Sequence, residues 1–370
     1  MRVVVAGGGT AGHIFPALAM ADALRARHGA EVEFLGAADG QEARLVPAAG
    51  YPFTSTHVTS AQTRVSARSV HALWLAGAAA RRVRPQVARA DVVVGLGGFA
   101  SAPGAMAAGW TRRPLVLVEQ NSVPGAVNRI AARWARVVAV TFEATAAALP
   151  ARARTERTGN PVRPAIVAVP ANRSSLVEEA RRGFGLDPDR RTVVVLGGSQ
   201  GAEHLDEVVA SAVGLLRDRA DLQLLVSTGP GREAGLEEAA RNAGALLVRT
   251  CGFIERMDLA LAIADVAVSR AGAGHIAELT VCGVPMILVP YPHATENHQE
   301  ANARELERAG AAEVVLDRDL TAERFAVRVG ALVEDVERCA SMASAARGWA
   351  RPDADVRLAA LVATVAGGAG

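Results

Sequence analysis

The sequence predicts an α/β protein made of two doubly wound domains, and three observations predict it. Short apolar, β-branched runs alternate with Ala-rich stretches of helical length, the pattern of parallel sheets covered by helices on both faces. The chain has 370 residues, the length of two ordinary domains. A sequence of strand, glycine turn, hydroxyl residue, glycine and helix occurs twice. Val4-Val5-Ala6 leads into Gly8-Gly9-Thr10-Ala11-Gly12, and Val193-Val194-Val195 leads into Gly197-Gly198-Ser199-Gln200-Gly201.

The strands of the first half are read at residues 3–6, 32–35, 91–95, 115–118 and 137–140. Those of the second half are read at 192–196, 222–227, 246–250, 266–269, 286–289 and 312–315. Between the halves lies a Pro- and Arg-rich stretch containing Pro150, Pro161, Pro164 and Pro170. The linker is placed near 160–165, dividing the chain into domains of 1–162 and 163–345. The last helical stretch, within 346–370, can pack on either domain, including back on the first. In doubly wound folds ligands bind at the carboxyl ends of the strands, so the turns that follow strands are where chemistry is sought.

Half the residues are apolar but only 4% are aromatic, so small aliphatic side chains must fill the core. The net charge of +2 does not supply the concentrated basic stripe of a nucleic-acid binder. All basic residues are Arg; with no Lys, a Walker-type phosphate loop and Schiff-base chemistry are excluded. The three cysteines, Cys251, Cys282 and Cys339, have no metal-site spacing and suit a reducing cytosol. No signal-peptide pattern is read at the start, and no apolar run reaches the roughly 18 residues of a spanning helix. Any membrane contact is therefore expected to be peripheral.

The first loop, residues 7–13, reads GGGTAGH. Such a loop lets backbone N–H groups approach a diphosphate at a helix N-terminus. A nicotinamide site would add an acidic residue at the end of the second strand; that strand ends Gly36-Ala37-Ala38 and Asp39 comes late, which disfavours it. A turn that only packs helix on sheet remains an alternative. His13, at the helix start, is either a general base, its neutral form favoured by the helix dipole, or a capping residue. A further glycine turn spans 95–104. Glu119-Gln120-Asn121 ends a strand on the ligand side, either as site residues or as a solvated loop end.

In the second half, residues 269–278 (SRAGAGHIAE) read as strand end, glycine turn and helix start. Free N–H groups there can hold a nucleoside diphosphate without metal. Glu278, about one turn in, can accept both hydroxyls of a ribose, or simply stabilise the dipole. A polar cluster of His293, Asn297, His298, Gln299 and Asn302 follows the next strand. Asp187-Pro188-Asp189, Asp317-Arg318-Asp319 and Asp353-Ala354-Asp355 fall in polar, turn-like stretches and are read as surface turns, so no metal site and no cofactor is expected. Leu73-Trp74-Leu75, followed by Arg81, Arg82 and Arg84, and Trp110 with Arg112 and Arg113, suit an anionic lipid surface or a buried helix with a solvated basic end.

Taken in order, GGGTAGH, EQN, GNPVR (159–163), GGSQGA (197–202), GFIERM (252–257), RAGAGHIAEL (270–279) and HATENHQEANA (293–303) closely resemble the MurG family over residues 1 to about 345. These are undecaprenyl-diphospho-muramoylpentapeptide β-N-acetylglucosaminyltransferases of peptidoglycan synthesis. The resemblance implies a GT-B fold, two Rossmann-like domains facing a central cleft. It implies inverting, metal-free transfer of N-acetylglucosamine from UDP-N-acetylglucosamine to the 4-hydroxyl of the lipid-linked muramoyl-pentapeptide (lipid I), making lipid II. The place of action would be peripheral, on the cytoplasmic face of the bacterial plasma membrane.

By resemblance, His13 is the base, and Thr10, Ala11 and Gly12 lie near the transferred sugar and diphosphate. Asn121 touches the sugar, and Arg163 and Ser199 contact the donor nucleotide or diphosphate. Ile254 meets the uracil through its backbone. Ala273, Gly274, His275, Ile276, Ala277 and Glu278 hold diphosphate and ribose, and Gln299 binds the sugar hydroxyls. The chain departs from the family's usual residues at Gly274-His275, where Ser or Thr is common, at Val118, and at Phe99-Ala100. A natural-product glycosyltransferase with another acceptor, a UDP-sugar 2-epimerase and a catalytically inactive UDP-sugar binder remain alternatives.

Overall fold

The computed structural model describes residues 1–8, 11–57, 67–198 and 202–368. They divide into two compact units, Met1–Arg163 with Arg351–Gly370, and Pro164–Ala350. Arg163, assigned to the second domain on sequence, falls in the first unit, and residues 346–350 fall in the second.

The first unit holds β1 (Arg2–Ala6), β2 (Glu31–Ala37), β3 (Phe53–Thr56), β4 (Val92–Gly95), β5 (Leu115–Glu119), β6 (Val137–Val140) and β7 (Thr155–Arg157). They form one sheet in the order β3-β2-β1-β4-β5-β6-β7, parallel throughout. The second unit holds β8 (Arg191–Leu196), β9 (Leu222–Ser227), β10 (Leu247–Cys251), β11 (Val266–Ser269), β12 (Met286–Leu288) and β13 (Ala312–Val314). Their order is β10-β9-β8-β11-β12-β13, again all parallel. Strand order reverses between β1 and β4 and between β8 and β11, the switch points beside which ligands bind in such sheets.

Alternation along β1 sends Val3 and Val5 to one face and Val4 and Ala6 to the other, and all four are buried. The Val3/Val5 face packs on Ile14 and Met20 of helix Ala11–His28 and on Leu358, Leu361 and Val362 of helix Ala354–Gly367. The C-terminal helix thus returns to the first unit. The opposite face packs on Ala80 and Val83 of helix Ala67–Val87 and on Ala105 and Ala108 of helix Gly98–Thr111. A side chain at Gly104 would overlap Ala6, so this helix lies close on the sheet and small residues do the filling. In the second unit β8 is buried from Thr192 to Leu196, with Leu205, Val209 and Phe325 among the side chains covering one face.

The eleven strands read from the sequence are all present. The edge strands β3 and β7 were not read, being short and largely polar (Phe-Thr-Ser-Thr and Thr-Glu-Arg).

Candidate active site

In the first unit, three turns leave the carboxyl edge of the sheet beside the switch point. After β1, Gly7 and Gly8 run at φ +145° and +152°. A Cβ on Gly7 would stand 2.7 Å from Leu96 Cβ, and one on Gly8 would overlap the carboxylate of Glu42. Glu42 is itself buried, accepts the Ala37 N–H at 2.8 Å, and would likewise collide with side chains at Gly36 and Gly40. A buried carboxylate underlies the first glycine turn, and the glycines make room for it. No pattern in the sequence marked Glu42.

Gly12 and the half-buried His13 open helix Ala11–His28, whose first turn holds no acidic residue. The same turn carries Phe15, whose ring lies 5.3 Å from the Arg163 guanidinium, so Arg163 is brought to the start of this helix. After β4, Gly97 and Gly98 adopt φ +79° and +67° and begin helix Gly98–Thr111.

After β5 the chain turns through residues 120–125, with Asn121 half-buried. Glu119 is buried and faces inward: one oxygen accepts the Asn121 N–H at 3.0 Å, and the other accepts the Gly125 N–H at 3.0 Å and Asn128 Nδ2 at 2.9 Å. Burial pushes its pKa up, while these hydrogen bonds and one from the Asn121 side chain pull it down. Glu119 is therefore not part of a solvated loop end.

In the second unit the matching turns follow β8 and β11. Helix Ala273–Cys282 starts at Gly272, with no side-chain cap and no acidic residue in its first turn; the Ile276 N–H donates to the Gly272 carbonyl at 3.0 Å, and the N–H groups ahead of it are those that a helix start points toward an outside acceptor. Nothing lies within 4 Å of a Cβ built on Gly272 or Gly274. Ala273, Ile276 and Ala277 have buried side chains and can offer a ligand only their main chain; Gly274, His275 and Glu278 are half-buried. His275 Nδ1 lies 3.2 Å from Ser269 Oγ. Gln299 Oε1 accepts the N–H groups of Ala271 at 3.1 Å and Tyr291 at 3.0 Å. Two backbone donors fix that amide's orientation, turning its NH2 the other way. Ile254, after β10, is buried beside exposed Phe253.

Behind these groups lies a buried charge cluster that the sequence reading missed. Arg270 donates to the carbonyls of Val289 (3.3 Å) and Pro290 (3.4 Å) and to Asp317, and lies 5.7 Å from the Tyr291 ring centre. The other Asp317 oxygen is 3.1 Å from His204 Nδ1. The expectation that Asp317-Arg318-Asp319 is a surface turn is corrected at Asp317: it is drawn inward by a buried guanidinium, whereas Arg318 stays exposed. Asp206, both oxygens sealed from water, has its pKa pushed up to about 6 by burial, against the pull of the Ala202 N–H, Arg232 and Arg270.

On the surface of the first unit, Trp74 is 66% exposed and Trp110 44%. Arg81 and Arg82 are exposed, Leu75 is half-buried, and the Arg81 guanidinium lies 5.8 Å from the Trp110 ring. Exposed Ile130 and Trp134 were not singled out on sequence. Thr10 and Ser199 lie outside the described residues, as do the side chains of Ala11 and Leu73.

Two family descriptions divide the chain much as its sheets do. The glycosyltransferase family 28 N-terminal domain matches residues 3–140 and the family 28 C-terminal domain matches 192–358. Two doubly wound units with glycine turns at both carboxyl edges, matched in this order, define a glycosyltransferase of the GT-B class. The UDP-N-acetylglucosamine–N-acetylmuramyl-(pentapeptide) pyrophosphoryl-undecaprenol N-acetylglucosamine transferase of Moorella thermoacetica is 40% identical over 362 residues, covering 96% of each chain. The enzyme of that name from a Nocardioides species is 42% identical over 370 residues, 98% of this chain and 97% of that one. The crystal structure of Acinetobacter baumannii MurG matches with TM-score 0.78 at 28% identity, over 98% of this chain and 99% of that one. The chain belongs to the MurG family.

Proposed function

We propose that this protein transfers N-acetylglucosamine from UDP-N-acetylglucosamine to the 4-hydroxyl of N-acetylmuramyl-(pentapeptide) pyrophosphoryl-undecaprenol, with inversion at the anomeric carbon, in peptidoglycan synthesis. Full-length relatives bearing that activity in their names support the substrates. The observation that carries the chemistry is the uncapped helix start at Gly272, with open space at Gly272 and Gly274. A uridine diphosphate can be held there along residues 273–277, its phosphates met by the earliest main-chain N–H groups of the helix, ahead of Ile276, whose own N–H donates to Gly272. Glu278 accepts the ribose hydroxyls, Gln299 offers its NH2 to the sugar, and the main chain at Ile254 meets the uracil.

The first unit supplies the other half of the reaction. His13 removes the proton of the acceptor 4-hydroxyl as that oxygen attacks the anomeric carbon. The C–O bond to the diphosphate breaks on the opposite face, and UDP leaves with the electron pair. Negative charge growing on the diphosphate is met by fixed dipoles, and preorganised donors of this kind contribute several kcal/mol. Asn121 contacts the sugar, and Arg163, near the start of the His13 helix, meets the nucleotide or diphosphate. Thr10, Ala11, Gly12 and Ser199 are assigned to the donor by the family resemblance.

The test is incubation with UDP-N-acetylglucosamine and a lipid I analogue, scored by UDP release and product mass. Stoichiometric UDP and a product heavier by one N-acetylhexosamine are expected. Isomerisation of the donor without acceptor would contradict the assignment.

Among the described residues no helix is long and apolar enough to cross a membrane. We infer peripheral docking on the cytoplasmic face through Trp74, Leu75, Trp110, Arg81 and Arg82, with Leu73 beside them in sequence, because exposed indoles beside guanidinium groups suit an anionic headgroup layer. Cosedimentation with anionic vesicles at low salt is expected, weakened by Trp74→Ala with Arg81→Ala. Equal sedimentation of wild type and this double variant would refute the assignment of that face.

A further inference from the structure

The two N–H groups that hold Gln299 come from different turns. Ala271 lies just beyond β11 and Tyr291 just beyond β12, and both donate to Gln299 Oε1, at 3.1 and 3.0 Å. A main-chain N–H only donates, so the atom between them is the amide oxygen, and the NH2 is the half left for a ligand. Whether this orientation is held depends on the spacing of the two donors.

That spacing is governed by Arg270. Its main chain leads directly into the Ala271 N–H. Its side chain crosses to the other turn, where Nη1 donates to the carbonyls of Val289 at 3.3 Å and Pro290 at 3.4 Å. The Pro290 carbonyl and the Tyr291 N–H belong to one peptide group. Arg270 therefore carries one donor on its own chain and holds the peptide of the other with its guanidinium. Asp317 accepts from the same nitrogen, and its second oxygen lies 3.1 Å from His204 Nδ1. Asn302, one turn beyond Gln299 on helix His298–Arg308, donates to the Ala271 carbonyl at 3.1 Å. Ala271 is thus bonded to that helix through both its N–H and its C=O. Arg270 is only 5% exposed, so it acts through these neighbours and not by touching a ligand.

We propose that Arg270, held by Asp317, is a positioning residue for Gln299: it fixes the distance between the Ala271 and Tyr291 N–H groups and so keeps the Gln299 NH2 turned outward for the donor sugar. The sugar as ligand rests on the transferase reading; the orientation of the amide does not.

The experiment uses Arg270→Met with Asp317→Leu in the full-length protein. This pair of changes removes both charges and leaves neither buried alone. We expect KM for UDP-N-acetylglucosamine to rise about 10-fold, the worth of one hydrogen bond, with kcat at saturating donor within about threefold. Such a split marks binding lost equally from ground and transition states. UDP, which has no sugar, should bind within about twofold of wild type. In a Gln299→Ala background the same two changes should add nothing to KM, since the residues act as one unit. Equal weakening of UDP, or additive losses, would overturn the proposal.

A readout independent of turnover is hydrogen exchange of the Tyr291 main-chain N–H. Tyr291 is 41% exposed, and its N–H is shielded by Gln299. Exchange should be slow in the wild type and at least about 10-fold faster both in Gln299→Ala and in the Arg270/Asp317 double variant. If that double variant does not fold, Arg270→Gln with Asp317→Asn removes the charges while keeping polar side chains, and the same acceleration is expected. Unchanged exchange in Gln299→Ala, or in either folded double variant, would refute the positioning. If the wild type fails to use the donor and acceptor analogue, the transferase reading fails, and Tyr291 exchange still decides whether Arg270 orients Gln299.

Discussion

In the first unit the turn beyond β5 is tied down by a buried carboxyl group. Glu119 accepts the N–H groups of Asn121 and Gly125 and the Asn128 amide. In the second unit the turn beyond β12 is tied down by a buried cation. Arg270 donates to the carbonyls of Val289 and Pro290 and pairs with Asp317. The strand orders around the two switch points match, yet one set of ligand-side turns is held by a buried acceptor of N–H groups and the other by a buried donor to carbonyls. A buried charge is tolerated only when surrounding polar groups answer it, and main chain can answer either sign by turning its N–H or its C=O inward. The cation lies in the unit proposed to hold the diphosphate.

The largest effect expected, and the sharpest division of labour, is at His13. Removing a general base costs about 10²–10⁴ in rate. In His13→Ala, kcat at saturating donor should fall by that much with UDP affinity unchanged; turnover within a few-fold of wild type would remove His13 from the chemistry.

Arg270 comes next. Arg270→Met leaves the half-buried Asp317 with only His204 beside it, which destabilises by at most about 3–5 kcal/mol, the cost of breaking a fully buried pair. Denaturant unfolding should record the loss, and adding Asp317→Leu should restore most of it. If the single variant unfolds like the wild type, the buried pair does not hold the second unit's edge.

Glu278→Ala should weaken UDP about 10–100-fold, the worth of hydrogen bonds to a charged group, while kcat at saturating donor stays within a few-fold. A 2′,3′-dideoxy-UDP should bind the variant and the wild type alike. A continued preference of the wild type alone for the ribose form would support the contact, and equal loss of the hydroxyls' contribution in both would contradict it.

The smallest effect is at Asp206, where burial raises the carboxyl to about 6 from its ordinary 3.8. The folded state then holds this proton more tightly than the unfolded chain. Stability from this group is intact below pH 4 and declines as pH rises from about 4 through 6. Asp206→Asn should raise Tm by a few degrees at pH 8 and leave it unchanged near pH 4. A variant that melts lower at pH 8 would show that the carboxylate is needed there.

These regions also differ in how legibly the sequence announced them. The buried strands and the glycine turns at residues 7–8, 97–98, 197–198 and 272–274 were readable because continuous β-branched runs and glycines report local backbone demands. Residues 53–56 and 155–157 were not, because an edge strand is made by its neighbour and carries no apolar run. Glu42 was not read, Asp317 was read as a surface turn, and Glu119 and Arg270 were read only as members of strand-end motifs, with no sign that either side chain turns inward. A charge beyond a strand end looks the same whether it faces water or turns inward, and only its tertiary partners decide. Gln299 was legible as part of a motif, but the two backbone donors that fix its amide come from residues 271 and 291, on separate turns.

The most direct test of the account concerns the helix start in the second unit. Backbone 15N NMR of the labelled protein, titrated with UDP in the presence of a chelator, reads the main-chain N–H groups one by one. The account predicts saturable shifts largest across residues 272–278, undiminished by chelation. Shifts confined to other parts of the chain, or binding that vanishes when divalent cations are removed, would contradict it.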